Sequence, residues 1–538
     1  MIIQITHTEK NATPTVIEAL ENLKANGGGE LHFKNGEYHF YREATRKEFF
    51  AVSNNSACDK HIVFPILDME NLIIDGHNSI FVFHDIVFPF MVSQSKKIII
   101  RNINLDTSHT PLVKFNIHDK TDDGVYMDID RDISPFFIEN NNLYFQRECE
   151  IISSKNELFS LHALDHHKVQ YFAIGDCNVD MSNLPASLIK CDVCETPTGI
   201  YARYRSDTPS YCCFDETVVG SIIDGGKRKV DVICLDRSEK IELCNITVRR
   251  GIGMGIVAQL SRNILINGFS TDAKFHSDDC MTLTADAMHF INCDGTLEIK
   301  NCTISDTMDD VLNIHGMYTE VVTADTDTIY SSIKHYEQYY FNPYRPGDRL
   351  EIIDNTTFDV VAEFHVEDAY FKDTDGKNII IKGHFSYGFD KIQKGFLIEN
   401  PDRMPDVHLH DNYFFNFPHI RISGGGEILI EENRFCNCNA ALLCLDLAKY
   451  WYESGRVNHL VYRNNFLDNC NGRGGKSFLR IGIDGVPDDI APKIHKKVEI
   501  IGNHFSKIKR YAISASGVKE LIVKDNTFDV ENENFFDI

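Results

Sequence analysis

The chain has 538 residues, 43% of them hydrophobic, enough to bury a large core spread over more than one domain. Lys and Arg number 54 against 79 Asp and Glu, a net charge of -25 that repels phosphate backbones and argues against nucleic acid as a partner. No stretch approaches the roughly 18 apolar residues a membrane span needs, and the opening MIIQITHTEK lacks a basic segment followed by an apolar one. A membrane partner is therefore not expected. A cytoplasmic location is expected, with export by another route left open.

In chain order, TPTVIEALENLKANGGG comes first, with Val16, Ile17, Ala19, Leu20 and Leu23 at helical spacing and a stop at Gly27. This predicts a capping helix, followed by strands in ELHFKNGEYHF. Beyond it the chain repeats a short β-rich apolar stretch ending in Asn-x-(Phe/Thr). Copies end at Asn102, Asn245, Asn267, Asn301, Asn412, Asn433, Asn464, Asn503 and Asn526. Asn245 and Asn267 are 22 residues apart, Asn412 and Asn433 21, and Asn503 and Asn526 23. A base period near 22 with occasional longer loops predicts a β-solenoid, here a right-handed parallel β-helix. Each coil rises by about 4.8 Å, so equivalent positions stack, Asn as ladders and Phe as a core pile. Two stretches break the period and read as inserted antiparallel β modules. The expected organisation is a cap and first coils over 1–106, a module over 107–230, coils over 231–316, a second module over 317–400 and C-terminal coils over 401–538.

The 16 Cys lie singly or in irregular pairs and read as reduced, mostly buried thiols. The lone C-x-x-C of Cys191 and Cys194, and the LHALDHH run with His162, His166 and His167, are weak zinc signals in the first module.

Acids concentrate in FHSDDCMTLTADAMHF and ISDTMDDVLNIHG, giving Asp278, Asp279, Asp286, Asp309 and Asp310 as candidates. Asp286 and Asp310 are 24 residues apart, close to one coil, so Asp286 and the Asp309–Asp310 pair should meet on adjacent coils and one face. Carboxylates crowded in this way repel, some pKa values rise, and the group suits acid/base work better than stability. Separations on the order of 6–9 Å would fit an inverting glycosidase. The rival reading is Asp residues bonded to their own turns. Small residues around Gly253 should leave floor space beside the acids. Arg421 in HIRIS falls near the same phase one coil later and could bind a hydroxyl or orient a carboxylate. His315 could bond the acid pair, and Asp279 could contact substrate. Trp451 and Glu453, in YWYESG, could form a sugar-stacking wall displaced roughly 10–14 Å along the axis, unless the loop folds back. Structural roles for Arg421, His315 and Trp451 weigh equally. A glycan is the expected partner, and self-association is left open.

ADAMHF at Asp286, MDDVLNIHG at Asp309 and Asp310, and YWYESGRVNHLVYRNNF from Tyr450 resemble glycoside hydrolase family 110, the α-1,3-galactosidases. YREATRKEFFAVSNN and IVFPILDMENLIIDGHNSIFVFHD resemble that family's opening, so the likeness covers most of the chain. The resemblance implies a parallel β-helix that removes terminal α-1,3-linked galactose, as in the blood group B determinant, by inversion and without a metal or other cofactor. It implies that Asp286, Asp309 and Asp310 are essential. The further likeness to polygalacturonases implies Asp310 as acid, with Asp309 and Asp286 holding the water and exchanged roles left open. Pro418, His419 and the CLDLAK segment around Leu445 depart from the family pattern at places that touch sugar specificity. The rivals are a polysaccharide lyase, which needs a Lys or Arg base and usually calcium, and a non-catalytic carbohydrate-binding β-helix.

Overall fold

The computed structural model describes residues 1–6, 10–110, 112–146, 151–153, 161–165, 168–169, 191–204, 217–221, 228–272, 275–276, 281–446, 450–470, 477–529 and 535–537. The fold is a right-handed parallel β-helix, the hand that parallel crossovers adopt. Strands from the first to the last coil join one continuous sheet, each pairing in parallel with its equivalents a coil before and after. The helix Thr13–Ala25 buries Val16, Ala19, Leu20 and Leu23 against the first coils, and Gly27, at a φ of 76°, turns the chain out of it. No described helix is long and apolar enough to cross a membrane.

Strand alternation fills the interior with one residue in two. Ile98, Ile241, Ile264 and Leu297 stack through successive coils, as do Leu312 and Ile420 on another face. Phe64 stacks on Phe90 at 4.2 Å, and Phe505 on Phe528 at 5.2 Å.

The repeated Asn residues occupy two neighbouring rows rather than one, apart from Asn267, which lies opposite Cys244 just before the corner Gly268. Asn102, Asn245, Asn301 and Asn464 sit at the coil corner with φ between 54° and 58°, a left-handed conformation that Asn tolerates. The next row inward holds Ile103, Ile246 and Phe269 in the early coils. In the later coils it holds Asn412, Asn433, Asn465, Asn503 and Asn526. Each Asn Nδ2 in this row donates to the Oδ1 of the next, at 2.9–3.1 Å. Their spare protons reach strand carbonyls, such as Leu409 O from Asn433. The ladder residue in LVYRNNF is therefore Asn465, while Asn464 forms the corner.

Two antiparallel units leave the coils. A seven-stranded sheet and a three-stranded sheet are built from strands between Leu112 and Ser221. A closed six-stranded barrel runs from Thr319–Ala324 to Leu397–Glu399. Arg456 of the coils ties the barrel down through Glu351 and Glu399. Cys191 and Cys194 share the strand Cys191–Glu195. His166 and His167 lie outside the described residues, and His162 falls on the strand Leu161–Asp165.

Because the inner ladder is buried and fully bonded, Asn433→Ala should cost about 2–4 kcal/mol by stranding its neighbours' donors and acceptors. Asn464→Ala should cost only about 1 kcal/mol, for a left-handed alanine. Equal losses in urea unfolding of the two variants would contradict this division of roles.

Candidate active site

Strands Met288–Ile291 and Leu312–Met317 pair in parallel, with Met288 opposite Leu312 and His289 opposite Asn313. Met288 and Phe290 enter the core, so His289 faces out. Two residues before each strand come Asp286 and Asp310, and the same register carries through them. Gly255 N–H donates to Asp286 O at 2.9 Å, and Ala287 N–H donates to Asp310 O at 2.9 Å. The 24-residue interval is thus one coil, and the two carboxylates share a position on adjacent rungs, about 4.8 Å apart along the axis. Asp309 sits on the bend just before, its Oδ1 accepting the Asp310 N–H at 3.0 Å.

The rungs on either side differ from the expected floor. The preceding rung carries buried Met254 rather than a gap. Gly253 is small for a backbone reason: its φ is 78°, and a Cβ would lie 2.0 Å from Val230 O. One rung further back, Asp231 caps the Met254 N–H at 2.9 Å. Its carboxyl is raised, chiefly by burial. After Asp310 the matching position is Pro418, while Arg421 lies opposite Asn313. Arg421 nevertheless reaches back, with Nε 2.9 Å from Asp310 Oδ2, and His419 Nδ1 lies 3.1 Å from Asp310 Oδ1.

The three aspartates are driven to different charge states. Burial pushes Asp310 up, but Arg421 and His419 outweigh it and hold this carboxyl below its ordinary range. Asp286 is raised well above its usual value by burial and then by Asp310. Asp309 is pushed up to about 8 by desolvation among the crowded groups, then by Asp286 and Asp310. Its side chain opens to solvent, which screens part of that rise until a ligand covers it.

A relay stabilises the protonated form of Asp286. His315 Nδ1 lies 2.6 Å from Gly316 O, a pure acceptor, so it carries the proton there. Burial lowers His315 to about 4, which leaves it neutral with a lone pair on Nε2. His289 Nε2–H donates to that nitrogen at 2.9 Å. His289 is also lowered by burial, and its Nδ1 faces Asp286 Oδ2 at 2.7 Å. A neutral His289 then accepts the Asp286 proton. His315 therefore acts on the acids through His289.

Glu453 comes to the pit because its loop folds back. Strand Glu453–Ser454 pairs antiparallel with Gly316 and Met317, placing Glu453 Oε1 3.6 Å from His315 Nε2. Buried Asp446 holds this return, accepting the Tyr318 hydroxyl at 2.7 Å and the Gly455 N–H at 3.3 Å. Trp451 stays 37% exposed. Its ring lies 4.6 Å from that of His335, which follows the barrel strand Thr328–Ser332, and Gln338 donates to its carbonyl. Trp451 thus packs on the barrel side, two residues before Glu453. Asp279 lies outside the described residues.

Sequence reasoning missed Arg228, His289, Glu337 and His419 as contributors. Arg228 is anchored through Asn54 O at 3.0 Å and lowers Asp231, Asp286 and Asp309. Glu337 is raised by burial, with Arg228 and His289 opposing. His289 and His419 had a usable signal, lying on the outward faces of strands beside Asp286 and Arg421. Arg228 and Glu337 had none, because they come from outside the repeating coils.

No family model matches the chain. α-1,3-Galactosidase A of Shewanella woodyi is 26% identical over 94% of this chain and 81% of its own length. α-1,3-Galactosidase B of Bacteroides thetaiotaomicron is 24% identical over 96% and 83%, and the Parabacteroides distasonis protein of the same name 25% identical over 95% and 85%. Among solved structures, the family 28 exopolygalacturonase of Yersinia enterocolitica overlaps 99% of this chain and 79% of its own at 10% identity, with a TM-score of 0.39, too loose to weigh on function. Over nearly its whole length, then, the chain is similar to proteins named α-1,3-galactosidases, and the resemblance to glycoside hydrolase family 110 stands.

Proposed function

We propose that the chain is a glycoside hydrolase that removes terminal α-1,3-linked galactose from oligosaccharides by a metal-independent inverting reaction. The observation that carries this is the stacked acid group, three adjacent aspartates of which Asp310 is gripped by Arg421 and His419 while burial raises Asp286 and Asp309. The near full-length likeness to α-1,3-galactosidases supports the sugar and linkage.

In this reading Asp309 is the general acid. It stays protonated near neutrality and delivers its proton to the glycosidic oxygen as the bond to the anomeric carbon breaks. Water held between Asp310 and Asp286 adds to the opposite face of that carbon and gives its proton to ionised Asp310. Asp286 accepts a hydrogen bond from that water through its other oxygen, as a neutral group rather than a second anion, since its single proton is committed to His289 Nδ1. The charge order thus supports Asp309 as acid, the reverse of the assignment implied by likeness to the polygalacturonases. A lyase using Arg421 as base is disfavoured. Burial lowers Arg421, but Asp310, Glu453, Asp309 and Asp286 together outweigh it, so Arg421 is raised above its normal value and stays a cation.

Two outcomes follow. With a Galα1-3Gal disaccharide, Asp309→Asn and Asp310→Asn should each lower kcat by about 10²–10⁴-fold. With p-nitrophenyl-α-galactoside, whose leaving group needs little protonation, Asp309→Asn should recover much of its rate while Asp310→Asn should not. The opposite pattern would exchange the roles, and full activity in both variants would remove the proposal.

The pH dependence of kcat/KM should be bell-shaped. Activity falls at low pH as Asp310 is protonated, below the ordinary carboxylate value of 3.8. It falls at high pH as Asp309 ionises, at or somewhat below about 8. Arg421→Gln should move the acid limb up by about one unit or more. An unmoved acid limb would show that Asp310 is not the group being read.

A further inference from the structure

On a different face of the β-helix, a second group of side chains meets the demands of metal ligation. Strand Asp406–His410 pairs in parallel with Asp294–Lys300, setting His408 opposite Glu298 and His410 opposite Lys300. His408 and His410 are two residues apart and so share one outward face. Their rings stack at 4.0 Å. His410 Nε2 lies 3.3 Å from Glu298 Oε1, and His408 Nε2 lies 3.0 Å from Glu431 Oε1 on the next coil. One ligand atom from each of Glu298, His408 and His410 lies within 4.8 Å of the others, and all three residues are half-buried.

A second observation points to a cation. His410 Nδ1 lies 2.7 Å from Asp411 Oδ2. With Nδ1 held by that carboxylate, the His410 ring is fixed with Nε2 directed at Glu298. A carboxylate behind a ligating imidazole is the usual outer support of a metal-bound histidine.

We propose that Glu298, His408 and His410 bind one divalent transition-metal ion of the zinc class, with Glu431 or water completing the shell. Two imidazoles and a carboxylate favour zinc, cobalt or nickel over calcium or magnesium. Lys300 Nζ, now 2.6 Å from Glu298 Oε1, must swing to solvent, which its flexible stem allows. The other triad of this kind, His32, Asp75 and His77, is less suited. Arg101 and Asn102 already occupy the two Asp75 oxygens at 2.7 and 3.0 Å. Glu298 and His410 are 112 residues apart and lie on the coils before and after the barrel. The ion would clip those coils together where the chain leaves for the barrel and returns, a structural role separate from the acids.

The test uses the full chain, stripped of metal and titrated with Co²⁺ under visible absorption, then with Zn²⁺ under calorimetry. The wild type should bind one ion per chain, develop the ligand-field bands of low-coordinate cobalt, and unfold at a higher temperature with Zn²⁺ present. His410→Ala should lose the bands and the thermal shift. Asp411→Asn should weaken binding about 10–100-fold, and His32→Ala should change neither. Circular dichroism checks that each variant is folded. The proposal is overturned if the wild type shows no bands at millimolar Co²⁺, or if His410→Ala and the wild type bind alike.

Discussion

Parallel register between successive coils is the constraint on which the candidate site rests. Once Met288 pairs with Leu312, Asp286 must lie over Asp310, whatever the electrostatic cost. Neither carboxylate can retreat into solvent, because the strands that follow them are hydrogen-bonded and packed into the common core. Like charges at one rung spacing, away from bulk water, cannot all remain ionised. The backbone thereby converts a regular repeat into a set of carboxyls with unequal proton affinity.

The neighbouring residues decide how that inequality is shared. Arg421 and His419 grip Asp310 and keep it anionic, while the line from Asp286 through His289 to His315 has its lone pairs arranged to keep Asp286 neutral. Asp309 has no such cation at bonding distance among the described contacts, and it opens to solvent. In the proposed reaction it is the carboxyl that gives its proton to the leaving group. The fold-back loop anchored by Asp446 brings Glu453 to the pit, and the turn around His335 adds a wall from the barrel. The coils thus supply the carboxyls, and the irregular segments supply the rim.

Much of this was legible in the residues. The Asn-ended repeat near 22 residues pointed to a β-helix, and the 24-residue interval placed Asp286 and Asp310 on neighbouring coils of one face. Finer phase was not legible, because Asn serves two adjacent rows for two reasons: left-handed corners at Asn102, Asn245 and Asn301, and a buried amide ladder from Asn412 onward. Counting every Asn as equivalent shifts the later coils by one residue, and the pairing offset falls from 110 at Ser305–Phe415 to 108 at Leu312–Ile420, so Pro418 rather than Arg421 matches Asp310. Arg228 and Glu337 were invisible for a different cause. They belong to segments that leave the repeat, and only tertiary folding brings them to the acids. The inward return of Glu453 depends on a buried carboxyl, Asp446, whose partner Tyr318 is 128 residues away.

The stereochemical course of hydrolysis tests the account most directly. Proton NMR of fresh product from Galα1-3Gal, with EDTA present, should show β-galactose first, followed by slow mutarotation toward the α form. That result requires water to enter opposite the departing group, as it does when Asp310 holds it and Asp309 protonates the leaving oxygen. α-Galactose as the first product, or no galactose at all from the folded chain, would contradict the account.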